Sequence, residues 1–183
     1  MTDAQVDSVL GRLWPTDFPT PRTELYLLLD GARDPRIHAW LGSSTLDYRC
    51  LYAGPLPRVL AEVAPYLVHI QAHAPATRRL LSDGWGQSWG VWLHAAASLD
   101  ELRRHFRRFL RVEDPDGRRL LFRYYDPRVL RSYLPTCTAE ELATVFGPVH
   151  RFCLESADGA TVLEYRRESH RLVGRAISDT PPR

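Results

Sequence analysis

The side chains best suited to acid–base chemistry in this chain are Asp30, His105 and Arg123, a carboxylate, an imidazole and a fixed cation. If they converged in one pocket, they could serve a hydrolase or a phosphodiesterase. His69 and His73 are spaced i, i+4, which on a helix would place two imidazoles on one face for a metal. No third ligand lies near them, and His94 and His105 stand apart in the sequence. Asp126-Pro127-Arg128 raises a different possibility, a charged grip between two apolar runs. A residue before proline is pushed out of the helical region, where an N-cap sits, so Asp126 has a complete structural explanation as a cap. Motifs for nucleophilic or nucleotide chemistry are weak: there is no Walker A sequence, no GxGxxG after a strand and no HExxH, and although Gly86-Gln87-Ser88-Trp89-Gly90 has GxSxG spacing, the stretch "DGWGQSWG" (83–90) opens no helix and reads as a turn.

These residues sit in a pattern of alternating strands and helices. A short helix is expected over 4–13, followed by a Pro-rich stretch, "WPTDFPTPR". "ELYLLLDGA" (24–32) reads as a buried strand closed by Asp-Gly, and "DPRIHAWLG" as a helix capped by Asp34 with Pro35 at its first position. Residues 47–54 read as a strand and 56–64 as a helix. Pro65 and the alternation of Tyr66, Val68 and Ile70 favour a strand over 66–72, which breaks the His69/His73 metal geometry. A helix from Ala74 to a Gly-rich turn precedes the strand 88–96.

The clearest helix spans 98–112, with a Ser98/Glu101 capping box. Leu99, Leu102, Phe106, Phe109 and Leu110 form its apolar stripe, with Arg104, Arg107, Arg108 and Arg111 opposite as a candidate partner-binding face and His105 at the boundary. A turn at 114–117, a strand over 118–125, a helix after Asp126 and one capped by Thr138/Glu141 complete this region. If the 118–125 strand turns Arg123 inward, the charge must be paired, and Asp30 is the expected partner. The segment from 151 to 166 reads as a hairpin, and the tail "ISDTPPR" as loose.

The expected fold is therefore α/β: a mixed β-sheet with alternating helices packed on it, one compact domain plus a C-terminal hairpin. Its parts are a lead-in (1–23), the α/β domain (24–149) and a short extension (150–183). A 183-residue chain with 44% hydrophobic and 25% charged residues can bury a sizeable core. Net charge of +2 does not by itself point to nucleic acid, although the arginine face of the 98–112 helix keeps a nucleic-acid binder as an alternative. All 24 basic residues are Arg, which suits bidentate contacts with carboxylates. Cys50, Cys137 and Cys153 are scattered and fit a reducing compartment. No secretory leader and no membrane-spanning run is read.

The segments "LLDGAR" (28–33), "APYLVHI" (64–70), "ELRRHFRRFL" (101–110), "LLFRYYDPRVLRSYLP" (120–135) and "TAEELATVFGPV", in that order, resemble the DUF4123 family over about residues 24–149. The Phe-Arg-Tyr-Tyr-Asp-Pro-Arg block is the most specific part. The positions that carry the resemblance are Asp30, Arg33, Pro65, Leu67, Arg104, His105, Arg123, Tyr125, Asp126, Pro127 and Arg128; Phe106 stands where Leu is common. The resemblance implies a non-enzymatic cytoplasmic adaptor-chaperone of a type VI secretion system. It would bind a toxic effector and help load it onto the VgrG spike, with no cofactor, metal, nucleic acid or membrane. Many relatives carry a longer helical C-terminal lobe where residues 149–183 stand here.

Overall fold

A computed structural model describes residues 1–14, 23–113 and 116–177. Most of the Pro-rich lead-in, part of the 114–117 turn and residues 178–183 of the tail lie outside the described residues. The elements in chain order are α1 (Asp3–Leu13), β1 (Glu24–Asp30), α2 (Pro35–Ser43), β2 (Tyr48–Cys50), α3 (Arg58–Glu62), β3 (Pro65–Ile70), α4 (Pro75–Gly84) and β4 (Gly90–Ala95). They continue with α5 (Leu99–Arg107), β5 (Arg111–Glu113), β6 (Arg119–Leu121), α6 (Pro127–Tyr133), α7 (Ala139–Phe146), β7 (Val149–Glu155), β8 (Val162–Glu168) and β9 (Arg171–Ile177).

The α/β architecture holds. Seven strands form one sheet in the order β2-β3-β1-β4-β7-β8-β9, and β5 and β6 form a separate two-stranded ribbon. Every pairing among the described strands is antiparallel, where a mixed sheet was expected. Strand–helix alternation along the sequence does not set strand direction. Direction depends on how often the chain reverses between partners, which a local pattern does not report.

Strand β1 is central and explains its unbroken apolar run, because both of its faces are covered. Leu25, Leu27 and Leu29 join a core with Val6 and Val9 of α1, Ile37 and Trp40 of α2 and Leu80 and Leu81 of α4. Tyr26 and Leu28 join the opposite core with Leu102 and Phe106 of α5, Leu130 of α6 and Leu142 and Phe146 of α7. The expected hairpin is present as β7–β8, but β7 also pairs with β4, so the C-terminal strands form the far half of the main sheet. β9 adds a largely exposed edge.

Three expected elements end early. The 98–112 helix stops at Arg107 because the Arg108 and Phe109 amides donate to the carbonyls of His105 and Phe106 in a tight turn. Arg111 therefore lies on β5, away from the helical arginine face. The 118–125 strand shrinks to β6, which is exposed and pairs only with β5; Arg123 to Asp126 then form a turn closed by the Asp126 amide on the Arg123 carbonyl (3.0 Å). The 47–54 strand shrinks to β2, an edge that pairs only with β3. The caps stand as read: Asp34, Ser98/Glu101, Asp126 and Thr138/Glu141 each accept from the expected helix amides.

Candidate partner-binding site

The Phe-Arg-Tyr-Tyr-Asp-Pro-Arg block fastens the ribbon to the body of the protein. Phe122 donates its amide to the Leu110 carbonyl (3.1 Å), closing the ribbon at its base. The Tyr124 hydroxyl donates to the Phe106 carbonyl at the end of α5 (2.8 Å). Arg123 donates to the carboxylate of Asp30 at the end of β1, as the sequence predicts, although Arg123 sits in a turn and not in a strand. The Asp30 side chain is only 1% exposed and that of Arg123 is 40% exposed. The hydrogen bond to Asp30 raises the Arg123 pKa further. Asp30 also accepts the Ala32 amide (3.2 Å), which shapes the turn after β1. That turn passes so close to Ala64 that a Cβ on Gly31 would lie 2.4 Å from the Ala64 carbonyl oxygen.

The rest of the signature is equally engaged. Asp126 accepts from the Arg128 amide (2.9 Å) and from its guanidinium (2.6 and 3.0 Å). Burial pushes the Asp126 carboxyl up, but the Arg128 hydrogen bonds and charge outweigh it and hold the pKa below the usual range. Pro127 occupies the first turn of α6. Tyr125 is buried beside Tyr52, and burial raises its hydroxyl pKa. Arg33 donates to the Gln87 carbonyl (2.9 Å). Pro65 pairs with Asp30 across β1–β3, and Leu67 is fully buried.

What this scaffold holds in place is a cleft. The ribbon stands opposite α3 and the Leu51–Leu56 segment, enclosing about 470 Å³. Leu51, Leu56, Leu60, Leu110 and Leu121 supply apolar walls, Tyr52 a half-buried ring, and Arg107, Arg108 and Arg111 the basic rim. Among the described residues, no carboxylate lines the cleft. Val59, Leu60 and Val63 around α3 are exposed, as are Val112, Leu120 and Leu121 on the ribbon. Such clustered exposed apolar side chains commonly mark an interaction surface.

A model of the family described as "Domain of unknown function (DUF4123)" matches residues 25–144, about two thirds of the chain. The chain belongs to the DUF4123 family. No curated protein and no solved structure matches it. In this DUF4123 chain every residue that lines the cleft falls within the matched segment, whereas β7, β8 and β9 lie beyond it.

Three of the four arginines expected to form one face line the cleft of this DUF4123 domain, but from three different places: Arg107 on α5, Arg108 in the turn after it and Arg111 on β5. Arg104 is exposed and outside the lining. Arg108 is held by His105, donating to its carbonyl oxygen (3.4 Å) and lying 2.9 Å from its Nδ1. His105 is buried, against the expected boundary position, with Nε2 2.9 Å from the Val145 carbonyl. Burial lowers its pKa. A Cβ on Gly147 would lie 2.3 Å from this ring, so the glycine at positive φ makes the room that buries it. His105 forms no hydrogen bond with Asp30 or Arg123, so the triad considered for acid–base chemistry is not joined.

His69 lies on β3, 3.4 Å from a Glu24 carboxylate oxygen, and His73 lies beyond that strand. Among the described residues no group of three or more His, Cys, Asp or Glu is placed to hold a metal, and no helix is long and apolar enough to cross a membrane. Cys50, Cys137 and Cys153 are free thiols, and burial pushes Cys153 up to about 12.

Two buried carboxylates escaped the sequence reading. Glu155 accepts from the amides of Gly86 and Ser88 (2.7 Å each) and from the Ser88 hydroxyl (3.1 Å). Burial raises its pKa. The one available signal was the Gly-rich stretch 83–90, which supplies the positive φ at Gly86. Glu164 is contacted by Arg151, Arg166 and Arg175 at 2.6 to 2.8 Å, with His94 beside Arg151. The alternation in β7 and β8 gave no sign that these charges share a buried row.

Proposed function

We propose that this DUF4123 protein is a non-catalytic, cytoplasmic adaptor-chaperone that binds a type VI secretion effector and assists its loading onto the VgrG spike. The observation that carries the reading is the use made of the signature side chains. Arg123, Tyr124, Asp126 and Arg128 are consumed in ties that anchor a ribbon, and the ribbon walls an open apolar cleft. Turnover would need an acid, a base or a nucleophile converging on a substrate. Stoichiometric capture needs apolar surface on a stable frame, and binding of that kind stabilises and solubilises the cargo by mass action.

The test is co-expression of this chain with the effector encoded beside it, reading the soluble effector, its co-elution and its secretion. A stable complex, and an effector that is less soluble or less secreted without the chain, are expected. An effector equally soluble and equally secreted in its absence refutes the adaptor reading.

A further inference from the structure

We infer that the cleft between α3 and the β5–β6 ribbon takes an acidic, leucine-rich segment of the partner protein, its apolar side chains between the leucine walls and its carboxylates against Arg107 and Arg111. This rests on the adaptor reading for the identity of the partner, and on charge and shape for its chemistry.

The cations at the rim differ in how they are used. Arg108 is bonded to His105 and lies over the Phe109 ring. Arg107 and Arg111 are exposed and form no ion pair among the described residues. Among the described residues the nearby carboxylates are engaged, Glu62 with Arg58 (2.8 Å) and Glu113 with Arg119 (3.5 Å). Among the described residues, Arg107 and Arg111 thus stand without an ion pair beside an apolar cleft that no carboxylate lines. An arginine fork presented this way is matched by a carboxylate. The volume of about 470 Å³ lies in the ordinary range for clefts that accept side chains or small ligands.

Two other occupants fit less well. Single-stranded nucleic acid is held by aromatic platforms, and among the described residues Tyr52 is the one aromatic residue lining the cleft, where it is half-buried. A second copy docked with its own cleft on the two-fold axis would bring Arg107 and Arg111 towards the same basic rim, where like charges repel.

The experiment uses the full chain and three fluorescent synthetic peptides: one of repeated Leu-Glu-Glu-Leu blocks, one with every Glu replaced by Lys, and one with every Leu replaced by Ser. Binding is read by anisotropy. The Leu/Glu peptide should bind about tenfold or more tightly than either control, equivalent to about 1.4 kcal/mol. Arg107→Glu/Arg111→Glu should abolish or invert the charge preference, and Leu60→Asp should weaken the Leu/Glu peptide at an unchanged melting temperature. All altered side chains are exposed, so folding is expected to survive. Equal binding of the three peptides, or wild-type affinity in the double-Glu variant, overturns the inference. So does an oligothymidine that displaces the Leu/Glu peptide, or a concentration-dependent dimer that Leu60→Asp dissolves.

The same variants in the co-expression assay separate the two readings. If the effector needs this chain but the double-Glu variant serves equally well, the cleft inference fails and the adaptor reading stands. If the effector does not need the chain while wild type still selects the Leu/Glu peptide, the adaptor reading fails and the cleft chemistry stands.

Discussion

Replacing Arg123 by Ala strands a carboxylate. The Asp30 side chain is 1% exposed, and apart from Arg123 it is left with the Ala32 amide. Breaking a fully buried pair costs about 3–5 kcal/mol, whereas an exposed pair is worth about 1 kcal/mol or less. Arg123 is 40% exposed, so part of its interaction is already screened by water. The expected loss is about 2–3 kcal/mol, or about 5–10 °C in melting temperature for a domain of this size. The reverse deletion should be milder. In Asp30→Asn the freed guanidinium can turn to solvent and the amide oxygen still accepts from Ala32, so a loss of about 1 kcal/mol is expected. The double variant Arg123→Ala/Asp30→Asn should be more stable than Arg123→Ala alone, because no charge is stranded. Urea unfolding followed by tryptophan fluorescence measures the whole cycle. Limited trypsin digestion should also cut faster at Arg111, Arg118 and Arg119 in Arg123→Ala, since the base of the ribbon is loosened. A melting temperature unchanged in Arg123→Ala, or equal losses for the two single variants, refutes the account of a buried carboxylate held by a half-exposed cation.

Asp126→Ala removes a helix cap and the Arg128 grip together and should cost about 1–2 kcal/mol in urea unfolding, whereas Asp126→Asn, which still caps, should cost about half of that or less. A loss in Asp126→Asn as large as in Asp126→Ala would show that the charge and not the cap is what matters. Acid should also weaken the fold through His94. Burial, then the Arg151 charge, holds its pKa down at about 2, so it is neutral in the folded state, while the unfolded chain protonates it near pH 6.5. Its contribution is therefore fully present above about pH 6.5 and is lost progressively as pH falls from there towards the folded value. At pH 5 the loss from this one group is about 2 kcal/mol. His105, lowered in the same direction, adds to the slope. Urea midpoints at pH 7 and pH 5 should differ less in His94→Gln than in wild type, and an identical difference would rule His94 out as the source.

The sequence was most informative where the physics is local. Asp34-Pro35 and Asp126-Pro127 set helix starts because the constraint lies within a few residues, and both stand as read. The Arg123–Asp30 pair was reachable because a charge among apolar neighbours needs a partner and few carboxylates end an apolar strand. What failed depends on distant chain. Helix α5 stops at Arg107 because Leu110 must meet Phe122 and Arg111 must pair with Leu121, and neither contact leaves a mark on the 98–112 periodicity. The same detour carries Arg111 off the helix and onto the cleft rim. His105 falls on the wrong side of the surface because Gly147 yields room for it, forty-two positions away in the sequence. Strand direction, Glu155 and the Glu164 cluster are hidden for the same reason.

The cleft and the signature are thus one device divided between two kinds of residue. The polar signature side chains, buried or half-exposed, are matched by Asp30, by the Phe106 carbonyl and by one another. Of the cleft side chains, Leu60, Leu121, Arg107 and Arg111 are exposed, and the two arginines form no ion pair among the described residues. In a monomer, exposed apolar side chains gathered at one place lower solubility unless something covers them. The ribbon that carries Val112, Leu120 and Leu121 is only two short strands, too small to hold its shape alone, so its position depends on the ties at residues 122–128. A change at Arg123 should therefore weaken capture without touching the partner, and a change at Arg107 or Arg111 should weaken capture without touching stability. The first effect should follow the melting temperature; the second should follow salt, because exposed charge contacts are screened while contacts among leucines are not.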